Sequence, residues 1–199
     1  MFASGNGTNF QAIAEAVLGG KLECRISAVI CERKNAGVLE RSRKLGINGI
    51  YIPYSRSEPE KFHHEALNTL NDLNPDLVVL AGFLKILDSS IIQRFPYRII
   101  NLHPSLLPCF GGPGFYGARV HEAVIRSGTK YSGATVHFVT ENIDGGPILM
   151  QDICRVEDRD TPETLAEKIH AIEHVLIVDS IKKILGGKLE IQGNRVIEK

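Results

Sequence analysis

The sequence lacks an excess of charge of either sign, because Lys+Arg and Asp+Glu each number 23 in 199 residues. A basic surface suited to nucleic acid or to an anionic membrane is therefore not expected, and any phosphate recognition must be local. No apolar run approaches the roughly 20 residues that cross a bilayer, and no signal-peptide pattern opens the chain. We therefore expect a cytoplasmic protein that binds neither nucleic acid nor membrane.

Cysteine is scarce and scattered, at Cys24, Cys31, Cys109 and Cys154. Neither C-x-x-C nor another spacing typical of a metal site occurs, so we expect reduced thiols and no bound metal. The adjacent His63 and His64 have no third ligand at a useful spacing, which favours a pair on a helix surface over a metal site.

Segments with strand and helix character alternate through the first half of the chain. The predicted elements are strands at residues 25–30, 49–53 and 77–81, and helices at 10–18, at 35–45 and after a capping box at 57–60. This order predicts an α/β fold with a doubly wound, Rossmann-like and mostly parallel sheet. A length of 199 residues favours a single domain.

The second half predicts an antiparallel strand pair and a long helix. The predicted elements are a helix at 118–127, strands at 131–140 and 148–154, a helix from Thr161 to Gly186 and a final hairpin at 188–197. Leu165, Ile169, Ile172, Leu176 and Ile181 form the apolar stripe of the long helix. His170, Glu173 and His174 lie off that stripe, where a solvated face is the ordinary interpretation.

A glycine-rich turn, residues 5–9, opens the first helix. Such a turn offers backbone N–H groups and a positive dipole end to a phosphate, although a plain tight turn explains it as well. The dinucleotide fingerprint requires a third glycine where Phe10 stands, so the phosphate of a mononucleotide fits better than NAD. Only three or four residues precede the turn, whereas a central strand usually needs about five.

Asn101 and His103 follow a β-branched apolar segment and alternate along the predicted strand end, so they project to the same side. An amide donor beside an imidazole suits a reaction that develops negative charge on a carbonyl oxygen and moves a proton. A structural turn and a satisfied histidine are the alternative. Asp144 is either a turn residue before Gly145 and Gly146 or the carboxylate that orients and charges His103.

Two further segments have a structural and a functional interpretation. Residues 82–87 continue the apolar character of the preceding strand, either as the start of a core helix or as an apolar wall for an aromatic ring system. Four glycines fall within residues 111–117, which indicates either a mobile lid or a passive surface loop.

Six motifs in this order resemble one family: ASGNGTN (3–9), LAGF (80–83), NLHPSLLP (101–108), VHFV (136–139), DGGP (144–147) and EH (173–174). The family is phosphoribosylglycinamide formyltransferase, a folate-dependent enzyme of purine synthesis. Each motif alone is weak, but the set covers nearly the whole chain and is highly specific. The resemblance implies formyl transfer from 10-formyltetrahydrofolate to the amine of glycinamide ribonucleotide, without a metal, by a monomer or a homodimer.

The resemblance also implies residue roles. The implied catalytic residues are Asn101, His103 and Asp144, with His103 kept charged by Asp144. The implied ribonucleotide site contains Gly7, Thr8 and Asn9 for phosphate, Glu173 for the ribose hydroxyls and His170 as a helper. The implied folate site contains Phe83, Leu84, Lys85, Ile86, Leu87, Asn101, Thr140, Glu141 and Asp144. Residues 1–100 would then be the nucleotide-binding half and residues 101–199 the folate-binding and catalytic half.

The sequence departs from the family in four places. The first strand is shorter, and the glycine-rich segment 110–117 is longer than in many members. Lys85 stands where arginine is frequent, which replaces a planar fork by a point charge. Pro59 falls near the position of a basic residue that some relatives carry.

Rival functions share part of the pattern. A formyltetrahydrofolate hydrolase uses the same catalytic residues but carries an additional N-terminal domain, and a methionyl-tRNA formyltransferase requires a further domain and a basic surface. A sugar-nucleotide N-formyltransferase shares the chemistry. A non-catalytic nucleotide-binding module would explain residues 5–9 but not the set of Asn101, His103 and Asp144.

Overall fold

The computed structural model describes residues 1–199 and divides into two compact units, Met1–Ile100 and Asn101–Lys199. The elements of the first unit are α1 (Thr8–Leu18), β1 (Val29–Cys31), α2 (Gly37–Lys44), β2 (Gly49–Tyr51), α3 (Pro59–Leu73), β3 (Val78–Ala81) and α4 (Ser89–Arg94). The strand β4 (Ile99–His103) begins in the first unit and ends in the second. This division coincides with the two predicted halves, and their forming one domain stays a prediction.

The short N-terminal segment of the first unit still completes its sheet. β1 and β2 pair in parallel, with Val29 opposite Gly49. Phe2 forms parallel bridges to Ile30 and to Leu80, so a single residue joins β1 to β3. Its N–H donates to Val79 at 2.8 Å. The short N-terminal segment therefore still connects β1 with β3.

Apolar side chains that pack against β1 hold the first unit together. Phe10 of α1 and Val38 of α2 are fully buried and belong to one cluster with Val29 and Cys31 of β1. Burying such side chains stabilises the fold by roughly 1.5–3 kcal/mol each. This packing fixes the start of α1, where the glycine-rich turn lies.

The second unit is built on an antiparallel strand pair. Its elements are α5 (Ala118–Ser127), β5 (Tyr131–Phe138), β6 (Ile148–Arg155), α6 (Pro162–Leu185), β7 (Leu189–Gln192) and β8 (Arg195–Glu198). The strand order within the unit is β4, β5, β6, β8, β7. β5 and β6 are antiparallel, with an irregularity between Val136 and His137, and β7 and β8 form the predicted terminal hairpin.

The long helix α6 covers this sheet, packing against β5, β6 and α5. Thr161 caps it, because its side chain accepts a hydrogen bond from the Thr164 N–H. Leu165, Ile169 and Leu176 are buried as predicted. Glu173 is only 5% exposed, so the ordinary interpretation of a solvated face does not hold for this residue. The buried face of α6 is broader than the predicted stripe, because it also includes residue 173.

The predicted α/β class is confirmed, with its antiparallel C-terminal strands and long C-terminal helix. The predicted capping box at residues 57–60 is wrong, because α3 has Glu58 at its N-cap and no side-chain cap. Ser57 Oγ instead lies 2.8 Å from Ser55 Oγ. The strand β1 (Val29–Cys31) lies further along the chain than the predicted strand at residues 25–30 and is shorter. None of the helices combines the length and the apolar character needed to cross a bilayer.

Candidate active site

The end of β4 supplies two polar side chains of the candidate site. Asn101 and His103 are alternate residues of this strand, as predicted, while the intervening Leu102 is buried. His103 is 4% exposed, so its imidazole is almost completely removed from water. A buried polar ring needs hydrogen-bond partners, which the second unit provides.

Both ring nitrogens of His103 face polar groups. Nε2 lies 2.8 Å from the carbonyl oxygen of Phe110, at the start of the glycine-rich segment. A carbonyl oxygen can only accept, so Nε2 carries the hydrogen in this contact. Nδ1 lies 3.7 Å from Oδ2 of Asp144. The neutral ring therefore has its lone pair on the nitrogen next to the carboxylate.

Asp144 is held from the opposite side by the same glycine-rich segment. Its Oδ2 accepts a hydrogen bond of 2.9 Å from the Gly112 N–H. The residue has a φ of 52°, in the left-handed region that suits a turn. Asp144 is thus a turn residue and also a neighbour of His103. The two interpretations of the sequence are both compatible with its position.

His137 is a site residue that the sequence reasoning did not select. Its Nε2 lies 3.1 Å from Nδ2 of Asn101 and 3.6 Å from Oδ1 of Asp144. It is 2% exposed, on β5 between two apolar neighbours. An ionisable residue between Val136 and Phe138 on a buried strand was the signal that could have identified it.

The electrostatics favour a neutral His103 beside an ionised Asp144. Burial lowers the pKa of His103, and the opposing effects of the Asp144 charge and the Phe110 carbonyl do not cancel it. Burial raises the pKa of Asp144, but His137, His103 and the Gly112 N–H outweigh it and hold this pKa below its ordinary value. The expectation that Asp144 keeps His103 charged stays a prediction, which burial opposes in the ligand-free chain because desolvation is the larger effect on the pKa of His103.

A second histidine pair lies between α5 and α6. The rings of His121 and His170 are 6.4 Å apart at their centroids, nearly perpendicular. Burial, with smaller contributions from His170 and His103, lowers the pKa of His121 to about 4. His121 Nδ1 has no hydrogen-bond partner. The predicted ligand His170 is exposed on α6, one turn from the buried Glu173.

The predicted phosphate turn lies in the first unit, at the start of α1. Gly7 is the N-cap of α1 with a φ of 77°, and no side chain caps this helix. Thr8 begins the helix, and Asn9 is buried within its first turn. At this helix N-terminus the first backbone N–H groups can therefore face an anion.

The predicted apolar wall, residues 83–87, is also in the first unit and follows β3. Phe83 packs between the rings of Phe2 and Phe62. The next three residues are held by polar contacts: Leu84 N–H to Ser4 Oγ at 2.9 Å, Lys85 Nζ over the Tyr54 ring at 4.4 Å, and Ile86 carbonyl to His63 Nε2 at 3.1 Å. Ile86 remains 65% exposed, while Leu87 is buried. These contacts hold the loop in place, and the Ile86 side chain is exposed on it.

The second unit brings Asn101, His103 and Asp144 together, as predicted. Thr140 and Glu141 lie in the turn between β5 and β6 that also contains Asp144, with Thr140 Oγ1 donating to the Asn142 carbonyl at 3.3 Å. No three His, Cys, Asp or Glu side chains are grouped so as to hold a metal ion.

Comparisons with known proteins agree with one another. The family described as formyl transferase matches residues 1–181. The chloroplastic phosphoribosylglycinamide formyltransferase of Arabidopsis thaliana is 41% identical over 92% of this chain, and the chain spans 64% of that protein's length. The phosphoribosylglycinamide formyltransferase of Bacillus subtilis (strain 168) is 33% identical, over 94% of this chain and 93% of that protein. Glycinamide ribonucleotide transformylase 1 from Symbiobacterium toebii superposes with a TM-score of 0.91 and 36% identity, covering 99% of this chain and 91% of the other.

Proposed function

The chain belongs to the phosphoribosylglycinamide formyltransferase family, and on that premise we propose that it transfers a formyl group to the amine of glycinamide ribonucleotide. The donor we propose is 10-formyltetrahydrofolate. One observation carries the proposal. In the second unit the Asp144 carboxylate lies near both the His103 and the His137 imidazoles, and His137 contacts the Asn101 amide, so an amide, an imidazole and a carboxylate belong to one cluster. These are the groups that formyl transfer to an amine requires.

His103 moves the proton in this proposal. Its neutral ring has a free lone pair on Nδ1, since Nε2 is committed to the Phe110 carbonyl. When the substrate amine forms its bond to the formyl carbon, Nδ1 accepts the proton that the nitrogen loses. The resulting imidazolium has the Asp144 carboxylate next to it, 3.7 Å away in the ligand-free chain, which stabilises the charge. The same proton then goes to the departing nitrogen of the donor as the old C–N bond breaks.

Asn101 stabilises the oxyanion. The formyl oxygen becomes negatively charged while both nitrogens are bonded to the carbon, and an amide N–H of Asn101 donates to it. The folate supplies an activated formyl group and a nitrogen that leaves once it is protonated. Removal of one oxyanion donor typically lowers kcat by about 10²–10³. We expect losses of this size in Asn101→Ala and in His103→Ala.

In this proposal the ribonucleotide is bound by backbone N–H groups and by two side chains, all from residues predicted from the sequence. Gly7, Thr8 and Asn9 present backbone N–H groups to the phosphate at the uncapped N-terminus of α1. Glu173 accepts hydrogen bonds from the ribose hydroxyls, and His170 assists with the phosphate. Glu173 is nearly buried on α6, and a carboxylate oxygen is a good acceptor for hydroxyl donors.

The donor is bound by an apolar surface and by backbone groups. Phe83, Leu84, Lys85, Ile86 and Leu87 form the apolar surface for the pteridine, and the exposed Ile86 is its most accessible part. Thr140, Glu141 and Asp144 contribute the turn between β5 and β6. Lys85 is held over Tyr54, so in our proposal it supports this loop rather than pairing with the donor.

We also propose that the protein works in the cytoplasm, where its four unpaired thiols stay reduced. A monomer or a homodimer is the proposed assembly. Light scattering at two protein concentrations distinguishes these states.

The test is an assay of 10-formyltetrahydrofolate turnover with and without glycinamide ribonucleotide, monitored by the absorbance of the deformylated folate. Turnover that depends on the ribonucleotide supports the proposal. Turnover that is equal without it would indicate a hydrolase, and turnover with a sugar-nucleotide amine instead would indicate the other rival. No turnover with any of these acceptors would refute formyl transfer by this chain.

A further inference from the structure

The amide of Asn101 is in contact with a histidine that the proposed reaction has not used. Its Nδ2 lies 3.1 Å from Nε2 of His137, and the other ring nitrogen of His137, Nδ1, lies 3.0 Å from the Phe138 carbonyl. A carbonyl oxygen can only accept, so Nδ1 carries the hydrogen. In the neutral ring, Nε2 then has a lone pair and can only accept.

This tautomer decides which end of the Asn101 amide faces His137. A lone pair on Nε2 pairs with the NH2 group, whereas the amide oxygen would place two acceptors against each other. Asp144 Oδ1 is 3.6 Å from the same nitrogen, and a carboxylate oxygen has no hydrogen to donate to the lone pair of the neutral ring, so Asn101 is its donor. One N–H of Asn101 is thereby used and the other stays available, with the amide plane fixed.

We propose that His137 is a positioning residue, which holds the Asn101 amide so that its second N–H donates to the formyl oxygen. Without this contact the amide can turn over and present its oxygen to the developing oxyanion, which is repulsive. His137 would thus act only through Asn101. The inference rests on the proposed function, since it assigns Asn101 the same oxyanion role.

The experiment uses two substitutions that replace different ring nitrogens. The Oε1 of Gln can occupy the place of Nε2, whereas the side-chain atoms of Asn replace only Nδ1. We expect His137→Asn to lower kcat by about 10–100-fold with KM for the ribonucleotide changed less than about threefold. His137→Gln should recover kcat to within about fivefold of wild type, because an acceptor again faces Asn101. Ser132→Ala is the matched control, another buried polar side chain on β5, and it should leave kcat unchanged.

A double-mutant cycle separates positioning from a merely structural role. If His137 acts through Asn101, His137→Asn should have almost no further effect on kcat in the Asn101→Ala background. Equal losses in both backgrounds would overturn the proposal, as would a His137→Gln variant as slow as His137→Asn. Should His137→Asn fail to fold, the same cycle with His137→Gln decides, because its small loss must also vanish without Asn101.

The failure of this inference is distinguishable from failure of the proposed function. A wild-type enzyme without ribonucleotide-dependent turnover would refute the function itself. Normal wild-type turnover with an unimpaired His137→Asn variant would refute only the role of His137.

Discussion

His103 donates a hydrogen bond of 2.8 Å from Nε2 to the carbonyl oxygen of Phe110, a residue with a φ of 55°. A non-glycine residue in this left-handed region costs about 1–3 kcal/mol and persists where surrounding contacts hold it. The neighbouring Gly112 N–H holds Asp144 in turn. The start of the glycine-rich segment therefore fixes both the tautomer of His103 and the position of its carboxylate partner.

Gly111 lies between these two contacts, and a side chain there would require its neighbours to move. A Cβ at this position would collide with the Leu107 side chain and meet the Cβ of Asp144 at 3.3 Å. We expect Gly111→Ala to displace the segment, break both hydrogen bonds and lower kcat by about tenfold or more. The measurement is steady-state kinetics with a crystal structure of the variant.

Cys109→Ala is the control for this substitution, because the Cys109 side chain is exposed and its backbone contacts are retained. Its kcat should match that of the wild type. A Gly111→Ala enzyme with wild-type kcat would show that the two contacts do not matter for turnover.

The position of the acid limb of the pH–rate profile follows from the neutral His103. Because burial lowers its pKa below 6.5, kcat/KM should decline only when the pH falls below that value. The Asp144 charge raises the same pKa, so Asp144→Asn should move the acid limb to lower pH while reducing kcat. An acid limb above 6.5, or one that moves upward in Asp144→Asn, would contradict a neutral His103 base.

The placement of two polar side chains at the end of β4 could be predicted from the sequence because it depends on local alternation. Asn101 and His103 follow an apolar segment, and strand periodicity alone places both on one side. The bounds of α5 were likewise predictable, since Gly117 precedes it and Gly128 ends it. The Phe110 contact was not predictable, because no sequence pattern specifies where a backbone carbonyl points. The contact of His137 with Asn101 was equally unpredictable, because it joins residues 36 positions apart.

Errors in the predicted elements have a common cause in tertiary pairing. The bounds of β1 depend on its partners Phe2 and β2, which a window of residues 25–30 does not contain. The capping box at residues 57–60 matched a pattern that local hydrogen bonding overrode, since Ser57 pairs with Ser55. The burial of Glu173 does not follow from helical periodicity, because periodicity does not show how far neighbouring elements extend over a helix.

His121 should make the folded chain sensitive to mild acid. Its pKa is about 4 in the fold and 6.5 when unfolded, so the unfolded chain binds a proton that the folded chain excludes. Stability is present above pH 6.5 and is lost as the pH falls toward 4, a difference of about 3 kcal/mol.

We expect His121→Phe to remove this part of the pH dependence, measured as the free energy of unfolding by urea at pH 7, 5.5 and 4.5. A residual slope should remain, since burial also lowers the pKa of His103. Identical pH profiles for the wild type and the variant would rule out His121 as the acid-sensitive group.

Gly7 should tolerate no side chain, whereas Gly5, two residues earlier in the same turn, should tolerate one for folding. A Cβ at Gly7 would lie 2.6 Å from Cγ2 of Val38, which is fully buried, and the φ of 77° is unfavourable for alanine. A Cβ at Gly5 meets nothing within 4 Å.

We expect Gly7→Ala to lower the free energy of unfolding by about 1–3 kcal/mol, and Gly5→Ala by less than about 0.5 kcal/mol. Because Gly7 is the N-cap that directs the first N–H groups of α1, KM for the ribonucleotide should rise about tenfold or more in Gly7→Ala. A destabilised Gly7→Ala enzyme with unchanged KM would separate the fold of this turn from phosphate binding and would refute the phosphate role.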